Sequence, residues 1–229
     1  MIVGARRALL FDLDGCIVDS TEPIRVCLDA AFAEHDLPAL TPERLREHVG
    51  PPLQVSLAGV LARHGRPPEL VDDLVLAYRS RYAAMSVERA VAYPGVAELV
   101  RRLVADGERV GVVTSKPQRF AVPILEALGL LHELAVVVGP DLTEAEPKTE
   151  TLRRALDHLD DHGALDRAGT VMVGDRHHDI DAARPHGLVG IGVLWGFGTR
   201  DELDAAGASA VAADAEELAA LLRAVEPLA

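Results

Sequence analysis

Hydrophobic residues follow two rhythms along this chain. Short unbroken apolar runs occupy residues 8–11, 109–114, 134–138, 170–174 and 189–194, with a shorter one at 209–212. Apolar runs of this length, without alternation, predict strands buried on both faces, as in a parallel sheet. Between them, apolar residues recur at helical spacing over 94–106, 117–128, 148–160, 177–186 and 216–225. A proline stands near the start of the first helix and Gly129 follows the second, both fitting helix-end chemistry. The alternation predicts a doubly wound parallel α/β sheet.

Residues 19–88 break that rhythm. Ile24, Leu28, Ala31 and Phe32 share a helical face. A loop over 36–42 and a short helix over 42–48 follow, then the Gly50-Pro51-Pro52 break. A helix over 53–64 and a longer one over 69–85 complete the stretch. It carries no strand signal, so it reads as an all-helical domain, 19–88, inserted into an α/β core built from 1–18 and 89–229.

Composition narrows the function. Half of the 229 residues are hydrophobic, enough for a core with an insertion. No stretch approaches the ~20 consecutive apolar residues of a membrane span. Arg6 and Arg7 precede an apolar run that stops at Asp12, too short for a secretion signal. The formal charge of -13 argues against a nucleic-acid partner, and an anionic substrate would need local cations. Cys16 and Cys27 lack metal-ligand spacing and do not suggest a disulfide framework, so a reducing cytoplasm is expected. Cys16, four residues past Asp12, reads either as a reactive thiol or, more commonly, as a small buried hydrophobe. Of 23 basic residues only Lys116 and Lys148 are lysines. Each therefore offers a compact point charge that arginine does not.

The first strand ends at Asp12, and Asp14 follows before Gly15. Residues i and i+2 of an extended chain share a face, so the two carboxylates can project together. Either this is an acidic turn in which Asp14 caps a helix, or something cationic lies between the carboxylates. In open α/β sheets ligands bind at the carboxyl ends of strands. Thr114 and Ser115 end the second strand, and Gly174-Asp175 ends a later one. In Thr114-Ser115-Lys116-Pro117 the proline suits a first helical turn. Ser115 or Lys116 would then cap the helix, making an anion site of its free N–H groups. Lys148 opens a helix on the same side. Asp175 and Asp179 stand one helical turn apart. With Asp12 and Asp14 they offer the oxygen ligands of a hard cation, which points to magnesium. His177 and His178 read as exposed helix residues, since magnesium prefers oxygen.

In this order Asp12-x-Asp14-Gly15, Thr114, Lys148 and Gly174-Asp175-x-x-x-Asp179 resemble the four motifs of the haloacid dehalogenase (HAD) superfamily. The helical block resembles its C1 cap, and FDLDGCIVDS resembles the phosphoglycolate phosphatase-like branch. The resemblance implies a cytoplasmic, magnesium-dependent phosphatase acting on a small-molecule phosphate ester, with no membrane partner, as monomer or homodimer. Asp12 would be the nucleophile that forms an aspartyl-phosphate, and Asp14 the general acid and base. Gly15, Thr114 and Ser115 would surround the phosphoryl oxygens, and Lys148 would neutralise the transferring group. Magnesium would bind the Asp12 carboxylate, the Asp14 carbonyl and Asp175, with Asp179 in support. Arg46, His48 and Gln54, around the Gly50-Pro51-Pro52 break, are candidates for reading the leaving group.

Two departures stand out: Lys148-Thr149-Glu150-Thr151 replaces a commoner Lys-Pro-x-Pro, and Cys16 stands where threonine or valine is commoner. The paired aspartates speak against a dehalogenase, and the lack of lysine between Thr21 and Glu88 speaks against a phosphonate-cleaving enzyme. A phosphomutase of the β-phosphoglucomutase type remains an alternative, as does a nucleotide or secondary-metabolite phosphate phosphatase. A non-catalytic binding protein on the same fold is the rival of a different class.

Overall fold

A computed structural model describes residues 5–144 and 146–225. The end residues 1–4 and 226–229, which the sequence reading assigns to the core, lie outside them. Among the described residues six strands form one sheet: β1 (Ala8–Phe11), β2 (Arg109–Val113), β3 (Val136–Val138), β4 (Val171–Gly174), β5 (Val189–Val193) and β6 (Ala210–Ala212). The order is β3-β2-β1-β4-β5-β6, and every pairing is parallel. β1 and β4 are buried along their whole length, as the unbroken apolar runs require. The strand order reverses direction at β1 and β4, whose register pairs Phe11 with Val173. A doubly wound sheet opens its ligand crevice at such a switch point, beyond the carboxyl ends of the strands. Asp12 and Asp175 are the residues that follow these two strands.

The chain divides into two compact units, Met1–Asp19 with Val91–Ala229, and Ser20–Ala90. Among the described residues the second unit is helical: α1 (Thr21–Ala33), α2 (Pro42–Leu45), α3 (Leu53–Arg63) and α4 (Val71–Glu88), with 3-10 turns at Arg46–His48 and Pro68–Leu70. α4 packs on both α1 and α3. It buries Leu74, Tyr78 and Tyr82, and the two tyrosine rings stack with centroids 5.0 Å apart. The expected helix over 69–85 starts later and ends three residues further on. Its first turn is the 3-10 turn at Pro68–Leu70, and Arg89 forms the cap.

The first unit's helices are α5 (Val96–Ala105), α6 (Gln118–Ala127), α7 (Lys148–Asp161), α8 (His177–Ala183), α9 (Arg200–Ala206) and α10 (Ala215–Ala224). Three starts differ from expectation, α10 by beginning one residue early, at Ala215 after the Asp214 cap. α5 begins after Gly95, whose φ of 77° places a left-handed residue at the cap. α6 begins at Gln118 with Pro117 outside it. The sequence reading also lacks α9, a seven-residue helix with only Leu203 buried, too short to show a periodicity.

Candidate active site

The Asp12 N–H donates to the Val173 carbonyl at 2.8 Å, so the register with β4 extends one residue beyond β1 and fixes where the carboxylate stands. The chain then turns sharply. The N–H groups of Ile17 and Val18 both donate to the Leu13 carbonyl, and Gly15 takes φ 82° with its own N–H on Val18 O. Gly15 is needed here for two reasons: its backbone is left-handed, and a Cβ would collide with Asp175 Oδ2.

Lys148, first residue of α7, places Nζ 2.8 Å from Asp12 Oδ1 and pairs also with Asp179 Oδ1. The second Asp179 oxygen accepts the Arg176 N–H at 3.0 Å. Both Asp179 oxygens are thereby engaged. Asp175 is buried, and its Oδ2 accepts the Phe197 N–H at 2.7 Å. Its Oδ1 is buried without a hydrogen-bond partner among the described residues. Carboxylate oxygens of Asp12, Asp175 and Asp179 lie within 4.8 Å of one another.

A second lysine joins them. Lys116 Nζ stands 2.9 Å from Asp14 Oδ2. Its backbone N–H donates to Thr114 Oγ1 at 3.1 Å, and the Thr114 N–H donates to Val138 O at 3.0 Å, tying the segment to the end of β3. Ser115 between them is half-buried. The expected anion site at the start of the following helix does not form as anticipated. Neither Ser115 nor Lys116 caps it; Pro117 does, and the first helical N–H, on Gln118, donates to Pro140 O.

Four carboxylates thus meet two ammonium groups. Burial, and then the Asp179 and Asp12 charges, hold the Asp175 carboxyl well above its usual range. Burial pushes Asp179 up to about 6 against the pull of Lys148. Burial also works against the Lys148 ammonium, but Asp12 and Asp179 outweigh it and hold its pKa above the usual lysine range. The cluster lacks positive charge. Its donors are all oxygen, and a buried Asp175 Oδ1 stands ready, so the residues fit a hard divalent cation.

Cys16 resolves as a buried thiol. Its Sγ is 3.7 Å from Val173 O, and burial, followed by the nearby aspartates, pushes its pKa well up. His177 pairs with Asp181 at 3.0 Å, and the His178 ring lies on His177 at 3.8 Å. Burial and His177 lower His178 to about 4, which keeps it neutral. The proposed leaving-group residues lie in the second unit. Arg46 is exposed on its turn, the buried His48 shares a hydrogen bond between Nδ1 and Ser56 Oγ, and Gln54 donates to Asp72 at 3.3 Å.

Two participants escaped the sequence reading. The sequence marks Lys116 as a scarce point charge and a candidate helix cap, but nothing in it pairs Lys116 with Asp14. The loop carrying Phe197 has no motif of its own; its signal is an aromatic between two glycines shortly after a strand, which marks close backbone approach.

Residues 9–193 match the family described as haloacid dehalogenase-like hydrolase. The chain is 34% identical over 197 residues to a phosphoglycolate phosphatase from Xanthomonas campestris pv. campestris, covering 86% of each chain. It is 33% identical to a 5'-nucleotidase from Pseudomonas aeruginosa, again over 86% of each. The structure superposes with a TM-score of 0.84 on a predicted phosphatase from Clostridium acetobutylicum, at 29% identity, over 96% of this chain and 99% of that one.

Proposed function

This chain belongs to the haloacid dehalogenase-like hydrolase family and is a phosphatase, and we propose that it hydrolyses a small-molecule phosphate monoester through an aspartyl-phosphate on Asp12, with magnesium as cofactor. The carrying observation is the charge balance of the site, four carboxylates against two ammonium groups with Asp175 Oδ1 unpartnered. One divalent cation would neutralise the difference. The Asp12 carboxylate, the Asp14 carbonyl and Asp175 would hold it. When bound, it supplies positive charge against the carboxylates and the phosphoryl oxygens.

The rest of the chemistry belongs to side chains. Asp12 attacks phosphorus, forming an acyl-phosphate as the ester oxygen leaves. Asp14 gives that oxygen a proton, then takes one from the water that hydrolyses the acyl-phosphate, returning Asp12. Lys148 keeps Asp12 oriented and offsets charge on the transferring group. Thr114 and Ser115 would hold the phosphoryl oxygens, and Gly15 lets the turn close against Asp175.

Every phosphate ester presents the same phosphoryl group to these residues. We therefore assign leaving-group choice to the helical unit, residues 19–88, as the cap domain of this family's C1 type. Relatives named for phosphoglycolate and for 5'-nucleotides support such variation on one core. Two free, buried cysteines support a cytoplasmic setting.

Turnover of an aryl phosphate with and without magnesium, followed by intact-protein mass spectrometry after a rapid quench, tests the reading. Turnover should collapse in chelator and in Asp12→Asn. In Asp14→Asn, one added phosphoryl group should accumulate when the leaving group needs little acid help. Chelator-resistant turnover would remove the cofactor. A tenth of wild-type activity in Asp12→Asn would remove the nucleophile.

A further inference from the structure

The loop after β5 closes over Asp175. The Phe197 amide donates to Asp175 Oδ2, and the Trp195 indole N–H donates at 2.9 Å to the carbonyl oxygen of Cys16, two residues past Asp14. Glycine is required on both sides of Phe197. A Cβ on Gly196 would overlap the Gly15 carbonyl and Asp175 Oδ2, and one on Gly198 would overlap the Asp175 carbonyl. The chain then enters α9, where one oxygen of Glu202 accepts from Arg176 Nε at 2.8 Å and from the His177 N–H at 3.0 Å. Burial works the other way, yet these hydrogen bonds hold the Glu202 carboxyl below its usual range. Residues 195–202 therefore grip the Asp175 side chain and the two residues after it.

From these contacts we propose that residues 195–202 are a positioning segment that commits Asp175 to a single donor oxygen for the divalent cation. Phe197 occupies Oδ2 and leaves Oδ1. Trp195 ties that carboxylate to the turn bearing Asp12 and Asp14, so the cation's ligands from two strands keep one spacing. This rests on the magnesium reading above. A carboxylate that can turn offers either oxygen or both. Magnesium demands near-ideal octahedral geometry, so a fixed single donor favours it. Partners of this kind typically change metal affinity by roughly 10–100-fold when removed.

Calorimetric titration of magnesium into the full-length, metal-free protein without substrate tests the proposal. Trp195→Phe keeps an aromatic ring beside Tyr93, whose centroid is 6.5 Å away, and removes the N–H together with the five-membered ring, a packing change that the melting temperature reads. Its Kd for magnesium should rise by about tenfold, the lower end of that range. Its melting temperature in chelator and its aryl phosphate turnover at saturating magnesium should match wild type. Gly198→Ala should weaken binding further, and Trp195→Phe decides the matter if that variant does not fold. An unchanged Kd in Trp195→Phe overturns the proposal while the magnesium reading stands. So does a loss of turnover at saturating magnesium with Kd unchanged, which would make the loop a support of the fold. A wild-type protein that takes up no magnesium overturns both.

Discussion

Lys116 Nζ and Asp14 Oδ2 are 2.9 Å apart, with the two side chains only 6% and 14% exposed. One of the chain's two lysines is thus spent on the carboxylate proposed to move protons. Breaking such a pair from one side strands the other charge, which typically costs about 3–5 kcal/mol. We expect Lys116→Met to lose stability on that scale and Lys116→Met/Asp14→Asn to recover most of it. Urea unfolding of both single variants and the double variant measures the coupling. A coupling energy under about 0.5 kcal/mol would show two independent groups.

Lys148 tests the other half of the charge balance. It touches both Asp12 and Asp179, so its ammonium acts as a compact bridge. Arginine keeps the charge but is planar, forked and longer. Lys148→Arg should lower kcat by roughly 2–4 kcal/mol of transition-state stabilisation, the scale of one preorganised contact. Steady-state kinetics at saturating magnesium measure it. Near-normal turnover would reduce Lys148 to a structural charge.

The sheet was legible because buried parallel strands need unbroken apolar runs, and Leu9 or Met172 can be placed from that alone. Asp12, Lys148 and Asp175 were legible because each stands at the end of a strand or the start of a helix, where ligands gather. Lys116 was not, because its partner Asp14 lies on another strand's turn and nothing in local sequence pairs them. The Phe197 contact is made by a backbone N–H, which carries no residue signature; only the flanking glycines hint at it. α9 was lost because seven residues with one buried position show no period.

The cysteines make a simple control. Burial raises Cys27 to about 11, partly offset by Arg81, and its sulfur lies 3.7 Å from that of Met85. Cys16 is raised as well. The thiolate is the reactive form, so neither residue should alkylate at pH 8 in the folded protein. Iodoacetamide followed by mass spectrometry should add nothing under native conditions and two groups in urea. Rapid single labelling of the folded protein would reopen Cys16 as a reactive thiol.

The helical unit yields the prediction that separates support from recognition. His48 is buried on Ser56, and Gln54 reaches Asp72, so both hold their own unit together. Arg46 sits exposed at the start of the 3-10 turn that His48 ends. If this turn reads the leaving group, the cation is the residue able to attract an anionic one, despite the chain's net charge of -13. Arg46→Ala should then lower kcat/KM for an ester with a carboxylate-bearing leaving group by roughly 1–3 kcal/mol, the value of a hydrogen bond to a charged group. An aryl phosphate, which lacks that charge, should be hydrolysed as before. His48→Ala should instead lose stability by about 1–3 kcal/mol, because Ser56 Oγ would be left without its partner in a buried place. Any activity it loses should be the same for both substrates. Parallel kinetics on the two esters, with melting temperatures alongside, distinguish the cases. Equal losses in Arg46→Ala would move this residue to the supporting role, and a selective loss in His48→Ala would make histidine the reader of the leaving group.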